Sequence, residues 1–437
     1  MSAKAVKPNH AACCSVIPTY ILSNIADSPH APEAARTHAR NALAHTLNFI
    51  QKHQNSITHQ LSITQAHPGA NQGQSFVPDH ILNSIASSHP AGSEGEEAAQ
   101  RSLRISSEIR DRREAESDSL RGAAPAKPAK RLNRVIYNAN HTQILDESLA
   151  RSEKGPATGD TAVDECFDGF GATFKFYADI FNRNSINNAG MSLIGTVHFD
   201  NAYNNAQWDG SQMIFGDGDG IYFNRFTASV DVIGHELTHG VTQYTANLVY
   251  QGESGALNES VSDVFGSMIK QFQHNQTSAQ ADWLIGEGLF TSKVKGVALR
   301  SMKAPGTAYD DPVIGKDEQF ANYADVLKAE LASDFDNGGV HIISGVPNRA
   351  FYLVASELGG NSWDRAGKIW WATLTDRRLT PSSNFQAFAK LTTEQAGNLY
   401  GESVKTAVEN AWKEVGIDTG AKTSPVPKPH HPHAQNI

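Results

Sequence analysis

The chain has 437 residues, 39% of them hydrophobic and 19% charged, with a formal net charge of −9. Such a chain is globular and long enough for two or three domains. Its acidic balance gives no support for nucleic-acid binding, and it holds no apolar run of the ~18 residues that cross a membrane, so neither is an expected partner.

Residues 1 to about 131 are rich in Ala, Ser, His and charge and poor in strand-like runs. The opening stretch, MSAKAVKPNHAACCSVIP, has no apolar core of a secretory signal. The cysteines are Cys13, Cys14 and Cys166, too few for a disulfide framework and suited to a reducing compartment. The expected address is therefore the cytoplasm, with unconventional export left open. An internal repeat sets Ile17-Pro-Thr-Tyr-Ile-Leu-Ser-Asn-Ile-Ala-Asp-Ser28 against Val77-Pro-Asp-His-Ile-Leu-Asn-Ser-Ile-Ala-Ser-Ser88. Each copy has Pro near a helix start and apolar residues at helical spacing: Ile21, Leu22, Ile25 and Ile81, Leu82, Ile85. A more charged helix is expected after each, near 32–50 and 94–115. The Pro/Ala-rich run from Gly122 to Lys130 reads as a linker, with a processing site expected between about 118 and 134.

From Arg134 the texture turns to strands and turns: VIYN from Val135, a helix at 171–181, LIGTVHF from Leu193, and Met213-Ile-Phe entering the glycine-rich turn 216–220. The run Val230–Tyr244 then holds His235-Glu236-Leu237-Thr238-His239. On a helix, residues four apart share a face, so two neutral imidazoles at this spacing can hold one zinc ion with Glu236 beside the remaining coordination positions. Val230, Val232, Ile233, Leu237 and Val241 supply an apolar lining. A catalytic zinc needs a third protein ligand and an open position. The next helical run, AlaLeuAsnGluSerValSerAspValPhe from Ala256, offers Glu259 as that ligand and Asp263, four residues on, to accept the outer N–H of a zinc-bound histidine. Helices follow at 350–360, 362–375, 384–401 and 404–416, several ending in glycine, with Trp370 and Trp371 expected in the core. The tail 421–437, with His430, His431 and His433, reads as a solvated, disordered segment.

The run HELTHGVTQYTANLVYQGESGALNESVSDVFG resembles the active-site core of the thermolysin-like metalloendopeptidases, the gluzincins, whose third ligand is a distant glutamate. The likeness runs from about Val135 to about Gly416 and includes the stretches at 204–220, 299–302 and 336–345. It points to the protealysin-like branch, with its short propeptide. The resemblance implies an α+β, two-lobed fold with a β-rich lobe at 132–230, an α-helical lobe at 231–420 and the zinc site in the cleft, preceded by a helical propeptide region at 1–131. It implies a zinc endopeptidase made as a monomeric zymogen, acting on peptides and proteins, inhibited by its own propeptide and cleaving on the amino side of bulky apolar residues. Glu236 would be the general base, Tyr250 and His341 the oxyanion donors, and Asp336 the group orienting His341. Asn205 and Ala206 would hold the substrate backbone, Arg300 the carbonyl after the cleaved bond, and Phe223, Phe226, Val232, Ile285 and Leu299 would line the pocket for the next side chain.

Asp231, Asp282 and Glu287 match carboxylates of the family's calcium site, so at most one calcium is expected there. Lys270 stands where many relatives have glutamate, and Leu284 replaces another carboxylate. The doubled propeptide-like motif departs from the family pattern. Cys13 or Cys14 could ligate zinc as a cysteine switch, although two ordinary thiols in a flexible arm is the simpler reading. The rivals are a non-catalytic zinc-binding protein that acts through its N-terminal repeat and an enzyme silenced by its own N-terminus. The presence of every catalytic residue type argues against the first.

Overall fold

The computed structural model describes residues 17–46, 130–332 and 336–420. The second motif at 77–88, the helix expected near 94–115, Cys13, Cys14, nearly all of the linker and the tail from 421 lie outside the described residues.

The first motif forms α1 (Thr19–Asp27), entered through Pro18 at its N-cap and burying Tyr20, Ile21, Leu22, Ile25 and Ala26. A second helix, α2, follows at 33–46. Both belong to the same compact unit as the chain from Arg131 onward.

Five strands come next: β1 (Arg134–Asn138), β2 (Ser148–Ser152), β3 (Leu193–Val197), β4 (Ala206–Trp208) and β5 (Met213–Phe215). They form one mixed sheet in the order β2-β1-β3-β5-β4. The β1–β3 and β3–β5 pairs are parallel, while β1–β2 and β4–β5 are antiparallel. The short strand β4 is thus left on an edge. Gly216, just after β5, permits a close approach there, because a Cβ would come within 2.0 Å of the Tyr203 carbonyl oxygen.

Between β2 and β3 runs α3 (Thr161–Phe181), which begins ten residues before the expected start at 171. Asp160 caps it, its carboxylate accepting from the backbone N–H groups of Ala162 and Val163, a contact worth about 1 kcal/mol. Gly169 resembles a break in the sequence, yet it lies inside the helix. A Cβ there would come within 2.4 Å of Ile233 Cδ1 on the helix that follows, so tertiary packing asks for a glycine.

That following helix is α4 (Val230–Gln243), and beyond a short turn comes α5 (Gly252–Gln273). Both are buried along nearly their whole length. They cross at Gly266, where a Cβ would sit 2.5 Å from the Asp231 carbonyl oxygen. Two short hairpins follow: β6 (Leu284–Ile285) with β7 (Arg300–Ser301), and β8 (Asp310–Asp311) with β9 (Gly315–Lys316). The remaining helices are α6 (Tyr323–Val326), α7 (Asp336–Ile343), α8 (Gly345–Leu358), α9 (Ala366–Leu374), α10 (Phe385–Tyr400) and α11 (Glu402–Glu414). Trp370 stacks on Trp412 with ring centroids 6.2 Å apart, in the core as expected. Trp371 is half-buried and stacks on Phe181 at 4.8 Å, joining α9 to α3.

Candidate metal centre and active site

Helices α4 and α5 bring His235, His239 and Glu259 together as a buried trio. The two Nε2 atoms are 3.0 Å apart, and they lie 3.6 and 3.5 Å from the carboxylate oxygens of Glu259. Tetrahedral zinc with bonds of 2.0–2.1 Å would set such donor atoms about 3.3 Å apart. The outer nitrogens decide the tautomers. His235 Nδ1 faces Asp263 Oδ1 at 2.8 Å, an acceptor only. His239 Nδ1 faces Asn258 Oδ1 at 2.8 Å, and the Asn258 amide is oriented by donating to the Leu248 carbonyl at 3.1 Å. Both Nδ1 atoms therefore carry the proton, and two Nε2 lone pairs point at each other, an arrangement that calls for a cation between them.

The charge states agree with this. Burial pushes the His239 imidazole down to about 3, keeping it neutral. Burial would raise the Glu259 carboxyl, but the imidazoles of His341, His239 and His235 and the Arg300 guanidinium hold it at about 2. A neutral imidazole and an ionised carboxylate are what a metal ion requires. The residues fit zinc.

Glu236 is fully buried beside this trio. Its Oε2 accepts the backbone N–H of Trp208 on edge strand β4 at 2.8 Å, while Oε1 has no hydrogen-bond partner among the described residues. Burial, and then the charge of Glu259, push its carboxyl well above the usual range. Such a group is prepared to hold a proton.

Across the trio, the Tyr250 hydroxyl donates to Glu259 Oε1 and lies 3.3 Å from His341 Nε2. His341 Nε2 is itself 3.4 Å from Glu259 Oε2. Asp336 grips His341 twice, at Nδ1 (2.7 Å) and at the backbone N–H (2.9 Å). To do so the chain runs through four successive residues at positive φ, Asp336 to Gly339, two of them glycine. Burial alone would lower the His341 imidazole, but the carboxylates of Asp336 and Glu259 raise it to about 9.

The residues expected to meet substrate are placed as follows. Arg300 makes two bonds to Asp263, at 2.8 and 2.9 Å, so one carboxylate orients both a zinc-side histidine and this arginine. Asn348 adds a third donor to Asp263 at 2.8 Å. Phe223, Phe226, Val232, Ile285 and Leu299 are all buried. The rings of Phe223 and Phe226 lie 5.9 Å apart, and the Leu299 N–H donates to the Ile285 carbonyl at 3.0 Å. Asn205 immediately precedes β4, and its side-chain amide is engaged by the first motif. Its Oδ1 accepts the Ile17 backbone N–H at 3.0 Å, and its Nδ2 reaches the Ile17 carbonyl at 3.5 Å and Thr46 Oγ1 at 3.2 Å. The motif is held further along by Asn24 Nδ2 donating to the Ile314 carbonyl (3.2 Å), by Tyr20 against Tyr309 (3.5 Å), and by His45 Nε2 on Asp200 (2.6 Å).

Three groups escaped the reading of the sequence: Asn258, Asn348 and the backbone N–H of Trp208. Only Asn258 had a signal available, lying one residue before Glu259 on the buried side of α5.

The residues expected to bind calcium do not fit it. The Lys270 ammonium sits among them, 2.8 Å from Asp282, 3.0 Å from Glu287 and 3.7 Å from Asp231. Calcium takes six to eight oxygen ligands. Here there are three carboxylates with a nitrogen at their focus.

A zinc-type trio on two packed helices beside a buried carboxylate, itself held by the edge of a small mixed sheet, defines the metallopeptidase class. Residues 126–243 match the thermolysin metallopeptidase catalytic domain, residues 246–417 its alpha-helical domain, and residues 14–57 the protealysin propeptide. The chain belongs to the thermolysin metallopeptidase family: it is a thermolysin-like metalloprotease carrying a protealysin-type propeptide. It is 48% identical over 301 residues to Protease PrtS of Photorhabdus sp. (strain Az29), an alignment spanning 69% of this chain and 81% of the relative. It is 49% identical over 291 residues to an extracellular metalloprotease of Pectobacterium carotovorum subsp. carotovorum, spanning 67% and 83%. The precursor of protealysin, a metalloproteinase from Serratia proteamaculans, superposes with a TM-score of 0.70 at 38% identity, covering 92% of this chain and 99% of that one. The cytoplasmic address expected above is corrected by these relatives, one of which is named an extracellular enzyme. Cysteine scarcity and a plain opening stretch do not report the compartment in which a protease works.

Proposed function

We propose that this protein is a zinc endopeptidase zymogen, with catalytic lobes at 132–230 and 231–420, that acts outside the cell as a monomer on peptides and proteins. The observation that carries this reading is the convergence of His235 Nε2, His239 Nε2 and Glu259 beside Oε1 of buried Glu236, which has no hydrogen-bond partner among the described residues. When bound by His235, His239 and Glu259, zinc would supply Lewis-acid polarisation of the scissile carbonyl and of the attacking water. Glu236 Oε1 takes the proton of that water and passes it to the leaving amine, its raised proton affinity suiting both halves of the transfer. The Tyr250 hydroxyl and His341 Nε2–H donate to the oxyanion that develops on the substrate, and Asp336 holds the His341 ring in the orientation this needs. Edge strand β4 offers backbone groups to an extended peptide, with Asn205 as side-chain clamp. Arg300 grips the carbonyl after the cleaved bond. The buried apolar set of Phe223, Phe226, Val232, Ile285 and Leu299 favours cleavage on the amino side of bulky apolar residues. In the precursor, Ile17 engages Asn205 through its own backbone, supporting a propeptide that inhibits by using a substrate contact.

The test compares the zinc-loaded full-length chain with Glu236→Ala, following gel mobility and cleavage of a quenched peptide with Phe or Leu after the scissile bond. The wild type is expected to lose its N-terminal region and gain chelator-sensitive activity, and Glu236→Ala to do neither. If both bind zinc yet remain full length and silent, the protein is a non-catalytic zinc binder.

A further inference from the structure

The cluster around Lys270 takes no part in the chemistry above, yet it joins three elements that build the site. Lys270 lies in the last turn of α5, the helix that supplies Glu259 and Asp263. Asp231 lies in the first turn of α4, the helix of the two histidines. Asp282 and Glu287 flank β6, whose Ile285 pairs with Arg300 of β7. The ammonium is within 3.0 Å of Asp282 Oδ2 and Glu287 Oε2 and 3.7 Å from Asp231 Oδ2, and its side chain is 12% exposed. Both aspartates also accept from neighbouring groups of this chain. Asp231 Oδ1 accepts the Ser229 hydroxyl at 2.5 Å and Oδ2 the Gly286 N–H at 3.3 Å, while Asp282 Oδ1 accepts the Leu284 N–H at 2.9 Å.

We propose that Lys270 is the resident cation of this cradle, a covalently tethered ammonium that locks α4, α5 and the 282–287 loop together so that no dissolved divalent ion is needed there. The ammonium donates hydrogen bonds to Asp282 and Glu287 and pairs by charge alone with Asp231. A calcium ion at the focus would have to displace it or share the carboxylates with it at contact distance. It would also lack the oxygen ligand that a carboxylate at position 284 would provide, since Leu284 stands there. Burial would lower the proton affinity of Lys270, but Asp231 and Asp282 raise it above the usual lysine range, so the cation persists at any working pH. The consequence is local: the strand bearing Ile285, and through it Arg300, keeps its place at any calcium concentration. This inference does not depend on the catalytic reading.

The test uses the full-length chain, zinc-saturated, in a Glu236→Ala background that prevents self-cleavage, in buffers stripped of calcium and then given millimolar calcium. Backbone hydrogen exchange of residues 282–287 is read by mass spectrometry. With Lys270 in place, exchange there is expected to be slow and indifferent to calcium. Lys270→Gln should speed it at least tenfold. Lys270→Glu, which completes a four-carboxylate cradle, should make it calcium-dependent, with saturable slowing. Calcium-dependent slowing in the chain that keeps Lys270 would mean that a divalent ion binds beside the ammonium, and the proposal would fall. It would fall equally if Lys270→Gln left exchange unchanged, because the lysine would then hold nothing, or if Lys270→Glu ignored calcium.

Discussion

Two cation cradles are built on the α4–α5 pair, and they are finished differently. At one, His235, His239 and Glu259 bring their ligand atoms together as a group that could hold a metal ion. At the other, Asp231, Asp282 and Glu287 surround an ammonium that the chain itself provides. The first must stay open on one side, because chemistry needs a position that substrate and water can reach. The second only has to bind helices and a loop together, and a tethered charge does that with no dependence on the medium. A reactive site takes its cation from solution, whereas a purely mechanical one can grow its own.

The comparison breaks most readily at Asp263, which serves His235, Arg300 and Asn348 at once. Asp263→Ala takes the two carboxylate contacts of Asp263 away from the buried Arg300 guanidinium, itself 3% exposed, and is expected to destabilise the fold by about 3–5 kcal/mol in denaturant titration. The milder Asp263→Asn should keep the fold and weaken zinc about 10–100-fold in competition with a chromophoric chelator.

Next comes His341. Its replacement by Ala is expected to lower kcat about 100-fold while changing KM little, since it acts on charge that develops in the transition state. Because Asp336 and Glu259 raise its imidazole to about 9 against the opposing effect of burial, the donor is present below that pH and lost above it. Activity should therefore fall as pH rises through about 9, and that alkaline limb should vanish in His341→Gln.

At the filled cradle, Lys270→Gln should lower stability by about 2 kcal/mol, less than a fully buried pair because Glu287 is half exposed. Differential scanning calorimetry of the zinc-loaded Glu236→Ala chain would measure it.

The smallest effect concerns a third cluster, His141, His198 and Asp217. Both ring nitrogens of His198 are already committed, Nδ1 to Asp217 at 2.8 Å and Nε2 to Asp160, the cap of α3, at 3.0 Å. The ring works as a charged clasp. The hydrogen bond to Asp217 leads in raising it from 6.5 to about 9, against burial. A raised folded-state value means the stabilisation is complete below about 6.5 and disappears as pH climbs through about 9. His198→Gln should lower stability by about 1 kcal/mol at pH 6, after allowance for solvent screening, and by next to nothing at pH 10.

Much of the open cradle was legible along the chain because its members stand four residues apart on helices: His235 with His239, and Glu259 with Asp263. Spacing of that kind survives folding, since a helix converts sequence separation directly into direction. Other parts left no local trace. The Trp208 N–H that holds Glu236 belongs to the backbone, so no residue type announces it. Asn348, 85 residues beyond Asp263, looks like any polar residue on a helix. The helix α3 starts ten residues before its expected start at 171, and Gly169 inside it is explained by a side chain on another helix. The short strands β6 to β9 have two residues each, below any recognisable period.

The sequence by itself determined the chemistry: which donors share a face, where Glu236 stands among them, and that a proline-led helix precedes the catalytic lobes. Tertiary structure alone decided what those groups meet. Folding presses the Ile17 backbone onto Asn205 across 188 residues and joins His235 and Arg300 on a single carboxylate. It also sets the Lys270 ammonium at the focus of three acids that the chain carries at 231, 282 and 287. Periodicity encodes direction within one element, whereas the distance between elements depends on how their surfaces pack, and that is a property of the whole chain.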